Sequence, residues 1–237
     1  MARSKRKLRS LRRRAPAGSR AVDRGGEALA GALERHREGD LVGAEIGYRR
    51  VPARDPGNAE ATHYLGVIAH QVGRHGDAER QIKDAIALDP APPAYYNNLG
   101  EVLRAQGRVE ESVTAYREAV RRAPDYADTY NNLGLSLHGL GRDSEALDAL
   151  RRAIGLAPEM AEARMNEGDV LREMDRVEAS VASYGAATVA DPSLGEAWLN
   201  AGVGYFALRH MEQALGYLPG IPGPTIGVAN CWSRARI

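Results

Sequence analysis

Tyr96-Asn97-Asn98-Leu99-Gly100 returns, letter for letter, as Tyr130-Asn131-Asn132-Leu133-Gly134, 34 residues later, and each copy is followed at the same distance by a proline, Pro124 and Pro158. The step extends outward in both directions. Glycine recurs at Gly66, Gly100, Gly134, Gly168 and Gly202, and proline at Pro56, Pro90, Pro124, Pro158 and Pro192. Two residue types with opposite backbone habits, locked to one period over five copies, specify an array of helical hairpins.

Numbering each unit so that the proline is residue 32 assigns the other positions. Position 15 reads Gly39, Gly73, Gly107 and Gly141, which ends a first helix (A) near position 14. Position 24 reads Tyr48, Ile82, Tyr116, Leu150, Tyr184 and Leu218, and position 27 reads Val51, Ala85, Ala119, Ala153 and Ala187. One helical turn apart, these form the buried stripe of a second helix (B). Glycine inside a helix costs roughly 0.5–1 kcal/mol relative to alanine. Its recurrence at position 8 therefore predicts close approach of helix B of the same unit.

Tyr-x-x-Leu-Gly at positions 4 to 8, small residues at 20 and 27, an apolar residue at 24 and Pro at 32 resemble the tetratricopeptide repeat over about residues 25–218. The two Tyr-Asn-Asn-Leu-Gly units are most similar to the repeats of protein O-linked N-acetylglucosaminyltransferases and their bacterial relatives. The resemblance implies an all-α fold, a right-handed α-solenoid of stacked antiparallel helix pairs. A single Phe and a high Ala content agree with helix packing rather than a β-sandwich.

The segmentation follows from phase and charge. Residues 1–20 hold nine basic residues and no acid, and residues 1–24 read as a disordered basic arm. Residues 25–58 form a degenerate first repeat, residues 59–194 four complete repeats, and residues 195–218 a partial sixth. Residues 219–237 form an irregular Pro/Gly-containing tail, in which Leu218-Pro219-Gly220 breaks the array. Truncation or an altered reading frame is the favoured reading of that break, ahead of an irregular plug formed by Ile226 and Trp232. Between arm and tail, residues 21–218 carry ten more acids than bases, so the arm is drawn weakly toward the repeats.

Position 6 carries Asn98, Asn132, Asn166 and Asn200, a residue disfavoured in helix interiors. Stacked repeats align these amides, which can donate to and accept from an extended peptide backbone without reading its sequence. Such a column is similar to the asparagine ladder of the O-linked N-acetylglucosaminyltransferase repeats. The competing expectation is that the amides bond to an adjacent repeat. Positions 5, 9 and 12 flank the column with Asn97, Glu101 and Arg104, then Asn131 and His138, then Asp169 and Arg172. These mixed signs, with no Lys at positions 2 or 5 of a complete repeat, argue against a carboxylate clamp.

His63, His70 and His138 are too far apart to share a metal, and lone Cys231 offers neither a disulfide framework nor a metal spacing. No Walker loop, dinucleotide fingerprint or nucleophile elbow appears. The reading is a non-catalytic, cytoplasmic scaffold without cofactor or metal, which binds a protein or peptide partner in a concave groove. Two alternatives stand beside it. The chain is the substrate-recognition portion of a multidomain glycosyltransferase, or it is a nucleic-acid tether acting through its basic arm.

Overall fold

The computed structural model describes residues 17–53 and 55–208, and among these every regular element is a helix. They run α1 Ala17–Arg37, α2 Leu41–Arg50, α3 Ala59–Gln71, α4 His75–Leu88, α5 Pro93–Ala105, α6 Val109–Arg122, α7 Ala127–Gly139, α8 Asp143–Leu156, α9 Ala161–Glu173, α10 Val177–Ala190 and α11 Gly195–Ala207. The chain divides between Pro90 and Ala91 into a first unit carrying α1–α4 and a second carrying α5–α11. Within each unit the odd-numbered helices are the A helices and the even-numbered ones the B helices, each A packing on the B that follows it.

Each A-to-B turn is built the same way. The position-15 residue is left-handed, with φ of 81° at Gly39, 78° at Gly73, 77° at Gly107 and 70° at Gly141. The next N–H reaches back five residues, from Arg74 to the Ala69 carbonyl at 2.7 Å and from Arg108 to that of Leu103 at 2.9 Å. This 6→1 bond closes a Schellman motif and satisfies a carbonyl the helix end leaves open. In the fifth repeat Asp175 takes the same conformation at φ 58°. At the other end, helix B stops two residues before the position-32 proline, whose ring disfavours helical geometry in the one residue between.

The core follows the period. Tyr48, Ile82, Tyr116, Leu150 and Tyr184 at position 24 are fully buried, as are Val51, Ala85, Ala119, Ala153 and Ala187 at position 27. The reason for glycine at position 8 is direct. A Cβ placed on Gly66, Gly100, Gly134 or Gly168 falls 2.5–2.6 Å from the position-24 side chain of the same repeat.

The first hairpin departs from the expected plan in two ways. Helix α1 begins at Ala17, so the last residues assigned to the 1–24 arm are helical; no proline interrupts that stretch. Helix α2 has ten residues where α4, α6, α8 and α10 have fourteen, because Pro52 follows Val51 and stops it a turn early. Residues 1–16, the second half of the sixth repeat and the 219–237 tail, with Cys231, lie outside the described residues.

Candidate functional site

The asparagines expected to line a groove are first of all the joints between consecutive A helices. Asn97 on α5 is 4% exposed, and its Oδ1 accepts from Thr129 Oγ1 at 3.0 Å and from Asn132 Nδ2 at 3.3 Å, both on α7. The same Asn132 Nδ2 lies 3.2 Å from Glu101 Oε1, which also accepts from Asn97 Nδ2 at 2.9 Å. One repeat on, Asn166 of α9 donates to Asn131 Oδ1 of α7 at 2.8 Å, with both amides buried. Position 6 of one repeat thus bonds to position 5 of the repeat before it, side chain to side chain. Asn98 is half-buried and accepts from Asn97 Nδ2 at 3.2 Å, and Asn200 on α11 is half-buried.

Positions 9, 12 and 24 form a second, alternating arrangement. In the fifth repeat Tyr184 donates to Asp169 Oδ1 at 2.8 Å while Arg172 Nε donates to the Tyr184 hydroxyl at 3.2 Å. Burial, with Asp169 adding to it and Arg172 opposing it, pushes the Tyr184 phenol up to about 12. Two repeats earlier stand the same residue classes, Glu101, Arg104 and Tyr116. Glu101 is held by the asparagine joint, and the approach of Arg104 to Tyr116 falls short of hydrogen-bond geometry, so Tyr116 Oη is buried without a hydrogen-bond partner. Burial likewise raises Tyr116 to about 12.

In the repeats between, position 24 is Ile82 or Leu150 and position 12 is histidine, which turns toward the first residue of its own helix B. His138 Nδ1 lies 2.7 Å from Asp143 Oδ1, and its Nε2 lies 3.5 Å from Glu173 Oε2 on α9. His70 Nδ1 meets His75 Nδ1 at 3.1 Å. Tyr116, Tyr184, Asp143 and His75 were not expected from the sequence as neighbours of this row. The signal was present in the complete repeats, where tyrosine at 24 accompanies Glu101-Arg104 and Asp169-Arg172 and an aliphatic residue at 24 accompanies histidine; the degenerate first repeat instead joins the two, with His36 Nδ1 3.3 Å from the Tyr48 hydroxyl.

Of the residues expected on the concave face, Asn97, Asn131 and Asn166 are buried in the joints between A helices. Asn98, Glu101, Asn132, His138, Asp169 and Asn200 are half-buried, and Arg104 and Arg172 are exposed. Among the described residues, no helix is long and apolar enough to cross a membrane.

Residues 93–159, the two units that carry the repeated pentapeptide, match the family described as tetratricopeptide repeat. Those two units are tetratricopeptide repeats. The fold of the chain is similar to that of solved structures of the same architecture. For PilF of Pseudomonas aeruginosa the TM-score is 0.75 at 18% identity, over 83% of this chain and 90% of that one. For MamA it is 0.62 at 24% identity, over 68% of this chain and 94% of that one. For YrrB, described as a TPR protein with an unusual peptide-binding site, it is 0.60 at 24% identity, over 73% and 89%. At these identities the likeness concerns the fold. No curated protein matches the sequence.

Proposed function

We propose that the chain is a scaffold that holds an extended peptide segment along its A helices, with Arg104 and Arg172 as the principal contacts and Asn98, Glu101, Asn132, His138, Asp169 and Asn200 beside them. The observation that carries this reading is the alternation just described. Each arginine is exposed beside an acid at position 9 and a buried tyrosine at position 24, and the arrangement recurs after two repeats rather than one. An exposed guanidinium held next to a packed ring is preorganised, so less side-chain entropy is lost when it grips a carbonyl or carboxylate. Extended-peptide capture is a recurrent recognition mode in which main-chain bonds give affinity and spaced side-chain contacts give specificity. YrrB, of the same fold, carries a peptide-binding site in its own description.

The test is selection from a displayed peptide library on the immobilised chain, followed by fluorescence anisotropy on the enriched peptides. Arg104→Ala and Arg172→Ala are each expected to weaken binding by tenfold or more, since a hydrogen bond to a charged group contributes about 1.5–3 kcal/mol. Enriched peptides that bind the double variant as well as the parent overturn the assignment of the site, and a selection that enriches nothing overturns peptide capture.

A further inference from the structure

A groove of about 270 Å³ opens between α6, α7 and α8, and none of its lining residues belongs to the polar row described above. Leu133 and Leu137 of α7 and Ala149 of α8 line it with apolar surface. Its polar lining comes from Arg117, Tyr130, Glu145 and Asp148. Glu145 is engaged: its carboxylate accepts from Arg142 at 2.8 and 2.7 Å and from Arg117 at 2.8 Å, and these arginines hold it below the usual carboxylate range. Asp148, one turn further along α8, is exposed and makes no hydrogen bond or ion pair with a described residue. The Tyr130 ring already draws one cation, since Arg152 Cζ stands 5.9 Å from its centroid.

One repeat on, the equivalent positions are used differently. Position 7 is Glu167 in place of Leu133, and its carboxylate accepts from Arg151 at 2.9 Å and from Ser183 at 3.0 Å, the residues equivalent to Arg117 and Ala149. Position 22, where Asp148 stands, is Ala182. That site closes on its own ion pair. Between α6 and α8 the acid has moved from position 7 to position 22, which leaves the floor apolar and the carboxylate unspent.

We propose that this groove takes a lysine side chain of a partner protein, its methylene stem on Leu133, Leu137 and Ala149 and its ammonium on Asp148 beside the Tyr130 ring. Charge complementarity selects that occupant. Lysine buries its stem along apolar surface while keeping its charged head at the edge, which is the order in which floor and carboxylate are arranged here. A single unspent carboxylate matches a compact ammonium better than a guanidinium, whose five donors in a rigid fork ask for more acceptors. An anion is disfavoured, because Arg117 is already neutralised by Glu145 and Asp148 would repel it.

The experiment titrates the isotope-labelled full chain with Nα-acetyl-lysine methylamide and follows Leu133, Leu137 and Ala149 by NMR. The expected result is saturable shifts at these residues. The norleucine and Nε-acetyl-lysine counterparts, which carry no charge, should bind about two- to fivefold more weakly, the range an exposed ion pair supplies. The lysine probe should weaken to the same extent on Asp148→Asn. Leu133→Glu, which copies the arrangement of Glu167, should remove the shift at Ala149, whereas Arg104→Ala should leave it unchanged. Where Leu133→Glu fails to fold, Asp148→Asn on the exposed face of α8 decides. Equal affinity for charged and neutral probes overturns the proposal, as does undiminished binding in Asp148→Asn or the absence of saturable shifts. So do shifts at the same residues when the chain alone is diluted, which would give the groove to a second copy of the chain.

Discussion

Gly100 lies directly against the ring of Tyr116: a methyl group on Gly100 would sit 2.6 Å from Tyr116 Cε1 and 2.7 Å from Cδ1. Helix propensity and packing oppose each other at this position, and their magnitudes decide between them. Alanine would gain about 0.5–1 kcal/mol over glycine in an open helix interior, whereas forcing a methyl into a filled core costs typically about 1–3 kcal/mol.

The outcome is a pair of alanine substitutions with opposite signs. Gly100→Ala is expected to lower stability by about 1–2 kcal/mol net of the propensity gain. Gly155→Ala, on exposed α8 backbone with nothing within 4 Å of the added Cβ, is expected to raise it by about 0.5–1 kcal/mol. Urea unfolding of the two variants and the parent measures both. Equal signs would mean that the position-8 glycine is not there for packing.

A second prediction concerns the turn after α9. Asp175 holds φ 58° where the equivalent residues Gly39, Gly73, Gly107 and Gly141 hold 70–81°. A non-glycine residue in this region carries a penalty of roughly 1–2 kcal/mol, softened for Asp by its short polar side chain. Asp175→Gly is therefore expected to stabilise by on the order of 0.5–1 kcal/mol, and Gly107→Ala to destabilise by more than that. Thermal unfolding followed by circular dichroism reads both. A stabilising Gly107→Ala would contradict the turn geometry.

The helices, their partners and their turns were legible because Gly, Pro and the position-24 residue each answer to one local constraint that repeats every 34 residues. Gly134 needed only the period to be placed on Leu150, and Asp175 was readable as the stand-in for a turn glycine. The first hairpin was less legible, since Pro52 shortens α2 off the period. The polar row was legible as a column but not in its bonding. Asn97 and Asn98 are neighbours in sequence with the same side chain, and only the angle between successive A helices decides that Asn97 is buried while Asn98 is half-buried. The pairing of Tyr184 with Asp169 joins positions 15 residues apart on two helices, a relation that emerges once A and B are packed.

His63 supplies a pH prediction. It is 4% exposed on α3, and burial lowers its imidazole from the ordinary 6.5 to about 4. The folded state therefore favours the neutral ring, while the unfolded chain takes up a proton near its usual pKa. The stability this contributes is fully present above about pH 6.5 and is lost as pH falls from there toward 4. Within that window the slope approaches one proton, about 1.4 kcal/mol per pH unit. His63→Gln, which cannot titrate, should flatten the fall of melting temperature between pH 6.5 and 4.5. An equally steep acid limb in that variant would place the responsible group elsewhere.

The last prediction separates joint from groove in the asparagine row. Asn166→Ala removes the donor to Asn131 Oδ1 and leaves a buried carbonyl oxygen without its 2.8 Å partner. An unsatisfied buried polar group costs about 1–3 kcal/mol, so this variant should melt earlier even though alanine is the better helix former. Asn131→Ala strands the amide of Asn166 in the same way. Once one partner is gone, removing the other adds little, and the double variant should recover a coupling of about 0.5–3 kcal/mol relative to the sum of the singles. For a peptide selected as described above, these joint substitutions should leave the affinity of the folded fraction near the parent value, whereas Arg104→Ala and Arg172→Ala should lower affinity with little change in melting temperature. Strictly additive losses in the cycle, joined to a tenfold loss of affinity in Asn166→Ala, would mean that the buried amides serve the ligand rather than the stack.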